Sequence, residues 1–126
     1  MHLGSIALLV RDYDEALAYY VGVLGFRLLE DTDLGHGKRW VRVAPAGAET
    51  GLLLARAVTE AQQAAIGSQS GGRVFLFLHT TDFRADYTRL KARGVQFLQE
   101  PRQESYGHVV VFADLYGNQW DLLEST

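Results

Sequence analysis

The order of local signals along this chain repeats once, at an offset of about 70 residues, and this repeat constrains the fold more tightly than any other feature. In the first half, Ser5–Val10 is short and apolar, as a buried strand is. Asp12 can cap a helix, with Glu15 three residues on as the reciprocal half of a capping box. Ala16, Leu17, Tyr20, Val21 and Leu24 continue at helical spacing as one apolar stripe. Gly25 stands where a left-handed C-terminal residue is needed. Strands are expected at Phe26–Glu30, Lys38–Ala44 and Gly51–Arg56, with turns at Asp33–Gly37 and Pro45–Gly47. The second half runs in the same order. Arg73–His79 reads as a strand, Asp82 caps a helix carrying Phe83, Tyr87 and Leu90, and Gly94 ends it. Val95–Gln99, His108–Ala113 and Gln119–Leu123 complete the strands, with Gly117-Asn118 suited to a tight hairpin. Between the halves, Thr59 and Gln62 form a second capping box, opening a short helix that ends near Gly67. The segment Gly67–Gly72 has no apolar residue to hold it in a core.

This order specifies an α+β fold of two βαβββ modules, residues 1–57 and 73–126, joined by a linker with a short helix over residues 58–72. A four-stranded sheet with one helix buries a single face well, so two such sheets side by side form one curved mixed sheet around a cleft, a common kind of ligand site. The 126 residues suit a single domain, and 48% hydrophobic with 21% charged residues is ordinary globular composition. The net charge of −3 and a longest basic cluster of Lys38-Arg39 exclude a general nucleic-acid binder. The absence of Cys excludes disulfides, thiolate chemistry, Cys-ligated zinc and Fe–S clusters. Leu3–Val10 is too short to span a membrane and lacks the flanks of a signal peptide, so a cytoplasmic location is expected.

Particular residues extend the pattern. Val10-Arg11-Asp12-Tyr13-Asp14-Glu15-Ala16, followed by Tyr19-Tyr20 and Leu24-Gly25-Phe26, opens the chain. Phe112-Ala113-Asp114-Leu115-Tyr116-Gly117-Asn118, then Trp120-Asp121-Leu122-Leu123-Glu124, closes it. Taken together these stretches resemble the vicinal oxygen chelate superfamily (glyoxalase I, bleomycin-resistance proteins, extradiol dioxygenases) over essentially the whole chain. Leu115 and Tyr116 replace the more usual Pro and Asp, a departure that touches the turn and not the fold. Lys38–Val41 and Gly71–His79 resemble a bacterial subgroup labelled glyoxalase-like or dioxygenase-like, and such labels rest on fold, which does not fix function.

The resemblance implies one divalent ion in the cleft, held by His, Glu or Gln from the first, fourth, fifth and eighth strands. Those positions fall here on Ser5, Leu54, Arg73 and Asp121. Ser5 is a poor neutral ligand, Leu54 cannot ligate, and Arg73 is a permanent cation. Only Asp121 is a ligand, where about three or four are normally needed. No metal and no cofactor are therefore expected. His79 and His108 could join Asp121 in a displaced site, but no short ligand spacing supports one. Arg73 is either an anion-binding group or the ion-pair partner of Asp121, its charge taking the place of the missing cation. Trp40, Phe75, Phe77 and Tyr106, with Phe112 and Trp120, are aromatic walls of a pocket or plain core. Arg56 shares the face of Leu54 and would reach the cleft mouth.

The leading expectation is a metal-free protein that sequesters a small anionic or aromatic molecule, in the manner of bleomycin-resistance proteins, as a homodimer with no nucleic-acid or membrane partner. The rival is an enzyme, a lyase, isomerase or dioxygenase with a displaced metal or metal-free acid–base catalysis, with His79, His108, Tyr106 and Asp121 as proton carriers. A third reading is an interaction module with a vestigial cleft.

Overall fold

The computed structural model describes residues 1–125, in two compact units: Met1–Ile66, and a second that begins at Gly67. In the first unit β1 (Ser5–Val10) leads into α1 (Tyr13–Leu17), then β2 (Arg27–Gly35), β3 (Lys38–Ala44) and β4 (Gly51–Arg56), and α2 (Glu60–Ala65) follows. The sheet order is β1-β4-β3-β2, with β1 parallel to β4 and the other pairs antiparallel. The second unit holds β5 (Val74–His79), α3 (Phe83–Ala92), β6 (Gln96–Phe97), β7 (Arg102–Glu104), β8 (Gly107–Ala113) and β9 (Gln119–Ser125). Its order is β5-β9-β8-β6, with β7 also on β8 and β5 parallel to β9. Both units thus place the first strand beside the last, in parallel, so the repeat in the sequence is a repeat of topology.

Matching residues perform matching local tasks. Asp12 accepts a hydrogen bond from the Glu15 amide at 2.8 Å, and Asp82 accepts one from the Ala85 amide at 3.2 Å. Each satisfies a donor that the helix start leaves orphaned. Gly25 (φ 79°) and Gly94 (φ 88°) both turn the chain out of the helix through a conformation that side chains resist. Thr59 and Gln62 form the full reciprocal box at the start of α2.

The structure departs from expectation in identifiable places. After Leu17 the first helix widens into a π-helical segment, Ala18–Val23, closed by the Leu24 amide donating to the Tyr19 carbonyl at 2.9 Å. The wider winding buries Ala16, Tyr20 and Leu24 at intervals of four and leaves Val21 exposed. β2 runs on to Gly35 because the turn is compressed to His36 and Gly37, both at positive φ. β6 is shorter than Val95–Gln99: only the Leu98 amide continues its pairing, and Pro101, with no N–H, follows. β7 was not expected at all, being short and polar.

Each core lies under its helix. In the first unit Leu8, Val10, Val41, Val43 and Leu54 are buried with Tyr13 and Tyr20. In the second, Phe112, Trp120 and Leu122 are buried with Phe83 and Leu90. Arg39 fastens α1 to the β2–β3 hairpin. It pairs bidentately with Asp31 (2.7 and 3.1 Å), meets Asp14 at 2.9 Å and lies over the Tyr13 ring. These hydrogen bonds hold the Asp31 carboxyl below its ordinary range and raise the guanidinium. Among the described residues, no helix is long and apolar enough to cross a membrane.

Candidate functional site

Strand alternation gives each sheet a helix-covered face and a helix-free face. In the second unit, Asp121 on β9 stands opposite Val111 on β8 and Phe77 on β5. His79 and Leu123 form the next rung on the same face. Val109 and Val111 are buried, whereas Phe77 is 58% exposed. Asp121 therefore sits at the border between a dry strand and an accessible aromatic ring. Its Oδ1 is buried and has no hydrogen-bond partner in the structure. Burial pushes its carboxyl above the ordinary range, and the field of Arg102 opposes that rise. A buried carboxylate oxygen left without a donor is costly to fold, and it is a common mark of a binding site.

The cation near Asp121 is Arg102, not Arg73. Arg73 precedes β5, is exposed, makes no ion pair with Asp121, and its carbonyl accepts from the Ser70 hydroxyl. The expected Arg73–Asp121 pair does not form, because β5 begins one residue later and a register shift between Val74 and Leu76 breaks the alternation that aligned them. Phe75 lies in that shift, half-buried. Arg102 on β7 stands opposite Val109, on the face of Asp121, and bonds Gln99 at 2.8 Å and Glu104 at 2.6 Å. The Glu104 carboxylate raises its guanidinium, with Tyr106 adding in the same sense. Tyr106, exposed in the β7–β8 turn, is thereby tied to the same face.

His108 does not join them. It stands opposite Glu124 on the helix-covered face, its ring 5.8 Å from that of Phe83. The proton carriers expected of an enzyme are thus divided, with His79, Tyr106 and Asp121 on one face and His108 on the other. Gly107 beside it has a structural role: a Cβ there would lie 2.0 Å from the Glu124 carbonyl oxygen.

In the first unit Leu54 is 1% exposed and belongs to the core under α1. Its carry-over to a cleft position is corrected by one residue, since Ala7, Leu53 and Arg42 form the helix-free rung. Arg56 follows Leu54 onto the helix-covered side and lies against the Gly37 turn. Ser5 and Trp40 do face away from the helix. The Ser5 hydroxyl accepts from Arg42 Nε at 2.8 Å, and Arg42 also bonds Glu30 and the Gly4 carbonyl. Trp40 is 40% exposed two residues before Arg42. Of the remaining aromatics, Phe112 and Trp120 are core, their rings stacked 5.7 Å apart. Arg42 and Arg102 escaped the sequence reading. The alternation Trp40-Val41-Arg42-Val43 carried the signal for the first, and nothing comparable marks the second.

These positions do not fit a divalent ion. Ser5 is engaged by a guanidinium, Leu53 and Ala55 on the β4 helix-free side have no side-chain ligand atom, and Asp121 is a single carboxylate where about three or four ligands are normally needed. Among the described residues no three His, Asp or Glu side chains gather as a metal site would require.

The class these features define is a repeated α+β protein, βαβββ in the first unit and βαββββ in the second, whose helix-free sheet faces carry mixed aromatic and charged side chains. The chain belongs to the Glyoxalase/Bleomycin resistance protein/Dioxygenase superfamily, whose family model matches residues 2–122. It is 54% identical over 121 residues to an uncharacterized protein of Shewanella frigidimarina, covering 94% of this chain and 90% of the relative. Among solved structures it is similar to TnmS3, an antibiotic binding protein from Streptomyces sp. CB03234, at 34% identity and TM-score 0.83, covering 100% of this chain and 97% of that one. UcmS2 superposes at TM-score 0.85 with 30% identity, covering 98% and 97%.

Proposed function

We propose that this protein binds a small aromatic molecule on the helix-free face of its second sheet, with Phe77 as the stacking surface and Asp121 as acceptor for a ligand hydroxyl or amine, and without a metal. The observation that carries this reading is the buried, unpartnered Asp121 Oδ1 beside an exposed Phe77. A ligand donor would satisfy the orphan oxygen, and the ring would supply apolar area without loss of a rotamer-rich side chain. Similarity to an antibiotic binding protein supports sequestration of an antibiotic, and the exposed Phe77 ring supports an aromatic one. The metal-free reading rests on side-chain chemistry at Ser5, Leu53 and Arg42. Homodimerisation and a cytoplasmic setting belong to the same proposal, the first on the family resemblance.

The test is a thermal-shift screen of polycyclic aromatic antibiotics against the native chain and the variants Phe77→Ala and Asp121→Ala. A ligand at about 100 times its Kd stabilises the native state by roughly 2.7 kcal/mol. Hits should raise Tm for the native chain and lose most of that rise in both variants. Hits that stabilise both variants equally would place binding elsewhere.

A further inference from the structure

On the opposite side of the second sheet lies a cavity of about 520 Å³ between the start of α3 and the strands β7, β8 and β9. We propose that it is a second ligand site, taking an organic ammonium with an attached aromatic group. Arg102, on the Asp121 face, also borders the cavity, but none of the groups that would hold this ligand lies on the Phe77–Asp121 face, so the two readings are tested separately.

The geometry begins with a cross-strand row. Gln103, His108 and Glu124 are register partners on adjacent strands, so their side chains share the helix-covered face at the sheet's end. From α3, Phe83 and Tyr87 complete the wall, their rings stacked within 3° of parallel at 6.0 Å. His108 adds a third ring against Phe83. Phe83 is sandwiched between Tyr87 and His108, so the three rings form one aromatic wall against which an aryl group can pack. The carboxylates at the mouth set the sign of the guest. Asp82 and Glu124 line the cavity, and each spends one oxygen on a helix amide: Oδ1 of Asp82 on Ala85 at 3.2 Å, and Oε1 of Glu124 on Phe83 at 2.7 Å. Those bonds fix the carboxylates in place while the second oxygen of each remains for a ligand. Two cations line the cavity: the Arg102 guanidinium is held by Glu104 at 2.6 Å and Gln99 at 2.8 Å, whereas Arg84 stands at the rim. It is exposed and makes no ion pair among the described residues. With Arg102 neutralised by Glu104, two held carboxylates against Arg84 favour a positively charged guest, and the rings supply a surface for its aryl group. The volume suits an arylalkylamine of one or two rings.

The two carboxylates allow a test that spares the fold. Glu124→Gln retains an oxygen for the Phe83 amide, and Asp82→Asn retains a good N-cap, so each removes charge while keeping the local hydrogen bond. The probes are tryptamine, the neutral tryptophol and the anionic indole-3-acetate, titrated up to about 10 mM with amide and imidazole NMR shifts as readout. Tryptamine should bind saturably and at least about tenfold more tightly than tryptophol, with indole-3-acetate weakest. Its shifts should centre on Gln103, Tyr87 and His108. Glu124→Gln and Asp82→Asn should each weaken tryptamine several-fold while leaving tryptophol unchanged, and Arg84→Gln should strengthen it. Equal binding of tryptamine and tryptophol, shifts centred on Phe77 and Leu123, or no saturable shift in the native chain would each overturn the proposal.

Discussion

Asp114→Ala should be among the most destabilising single changes available in this chain. Asp114 is 5% exposed in the β8–β9 turn and receives hydrogen bonds from several donors. The amides of Tyr116 and Asn118 reach Oδ1 at 3.0 and 2.9 Å, Asn118 Nδ2 reaches Oδ2 at 3.1 Å, and so does Trp120 Nε1. Tyr116 can find water after the change, but Asn118 and Trp120 are 3% exposed and cannot. Stranding a buried donor costs about 1–3 kcal/mol, so two or three of them amount to roughly 4 kcal/mol. At about 3–4 °C per kcal/mol for a domain of this size, Tm should fall by roughly 12–16 °C. Asp114→Asn should cost about half as much, since its amide oxygen serves one donor while its NH₂ opposes another. Chemical denaturation of Asp114→Ala, Trp120→Phe and the double variant separates the Trp120 bond, with an expected coupling of about 1–2 kcal/mol. A loss under about 1 kcal/mol for Asp114→Ala, or additive single losses, would refute this account of the turn.

Asp121→Asn should raise stability at pH 7. Burial lifts the folded-state pKa above the unfolded value, so the ionised carboxylate costs stability above that pKa and the cost disappears as pH falls through it. Denaturation midpoints from pH 7 down to pH 3 should show the advantage of the variant shrinking toward zero, and an advantage that grows in acid would contradict the assignment. Leu54→Ala should cost about 2–5 kcal/mol as a core truncation, against about 1–2 kcal/mol for Leu53→Ala on the helix-free face, both read by urea titration. Excess Zn(II), Mn(II), Ni(II) or Fe(II) should leave Tm unchanged, and near-equimolar metal in protein purified without an affinity tag would overturn the ligand argument. Sedimentation at micromolar concentration should give twice the 14.0 kDa chain mass, and a monomer would remove the dimer.

What could be read from the sequence, and what could not, divides along a physical line. Caps and helix stops act within a few residues, so Asp12, Thr59, Asp82, Gly25 and Gly94 were legible one at a time, and their recurrence carried the topology. Facing depends on strand parity, which a single bulge reverses. The shift between Val74 and Leu76 was invisible in an unbroken apolar run, and with it went the pairing of Arg73 with Asp121. The same parity, applied one residue out of step, put Leu54 in a site when its core packing against Leu8 and Val41 requires the opposite face. His108 was misplaced for a related reason. Two strands of one sheet need not present a given residue type to one side, and Gly107, with its backbone pressed against Glu124, sets where that strand begins. The side-chain chemistry at this position does not change with such a slip, because Leu52, Leu53 and Ala55 offer an ion no more than Leu54 does. An inference from residue chemistry that holds at several registers is therefore stronger than one from residue position that holds at only one. For that reason the metal-free proposal rests on residue chemistry, whereas the pairing of Phe77 with Asp121 had to come from the sheet.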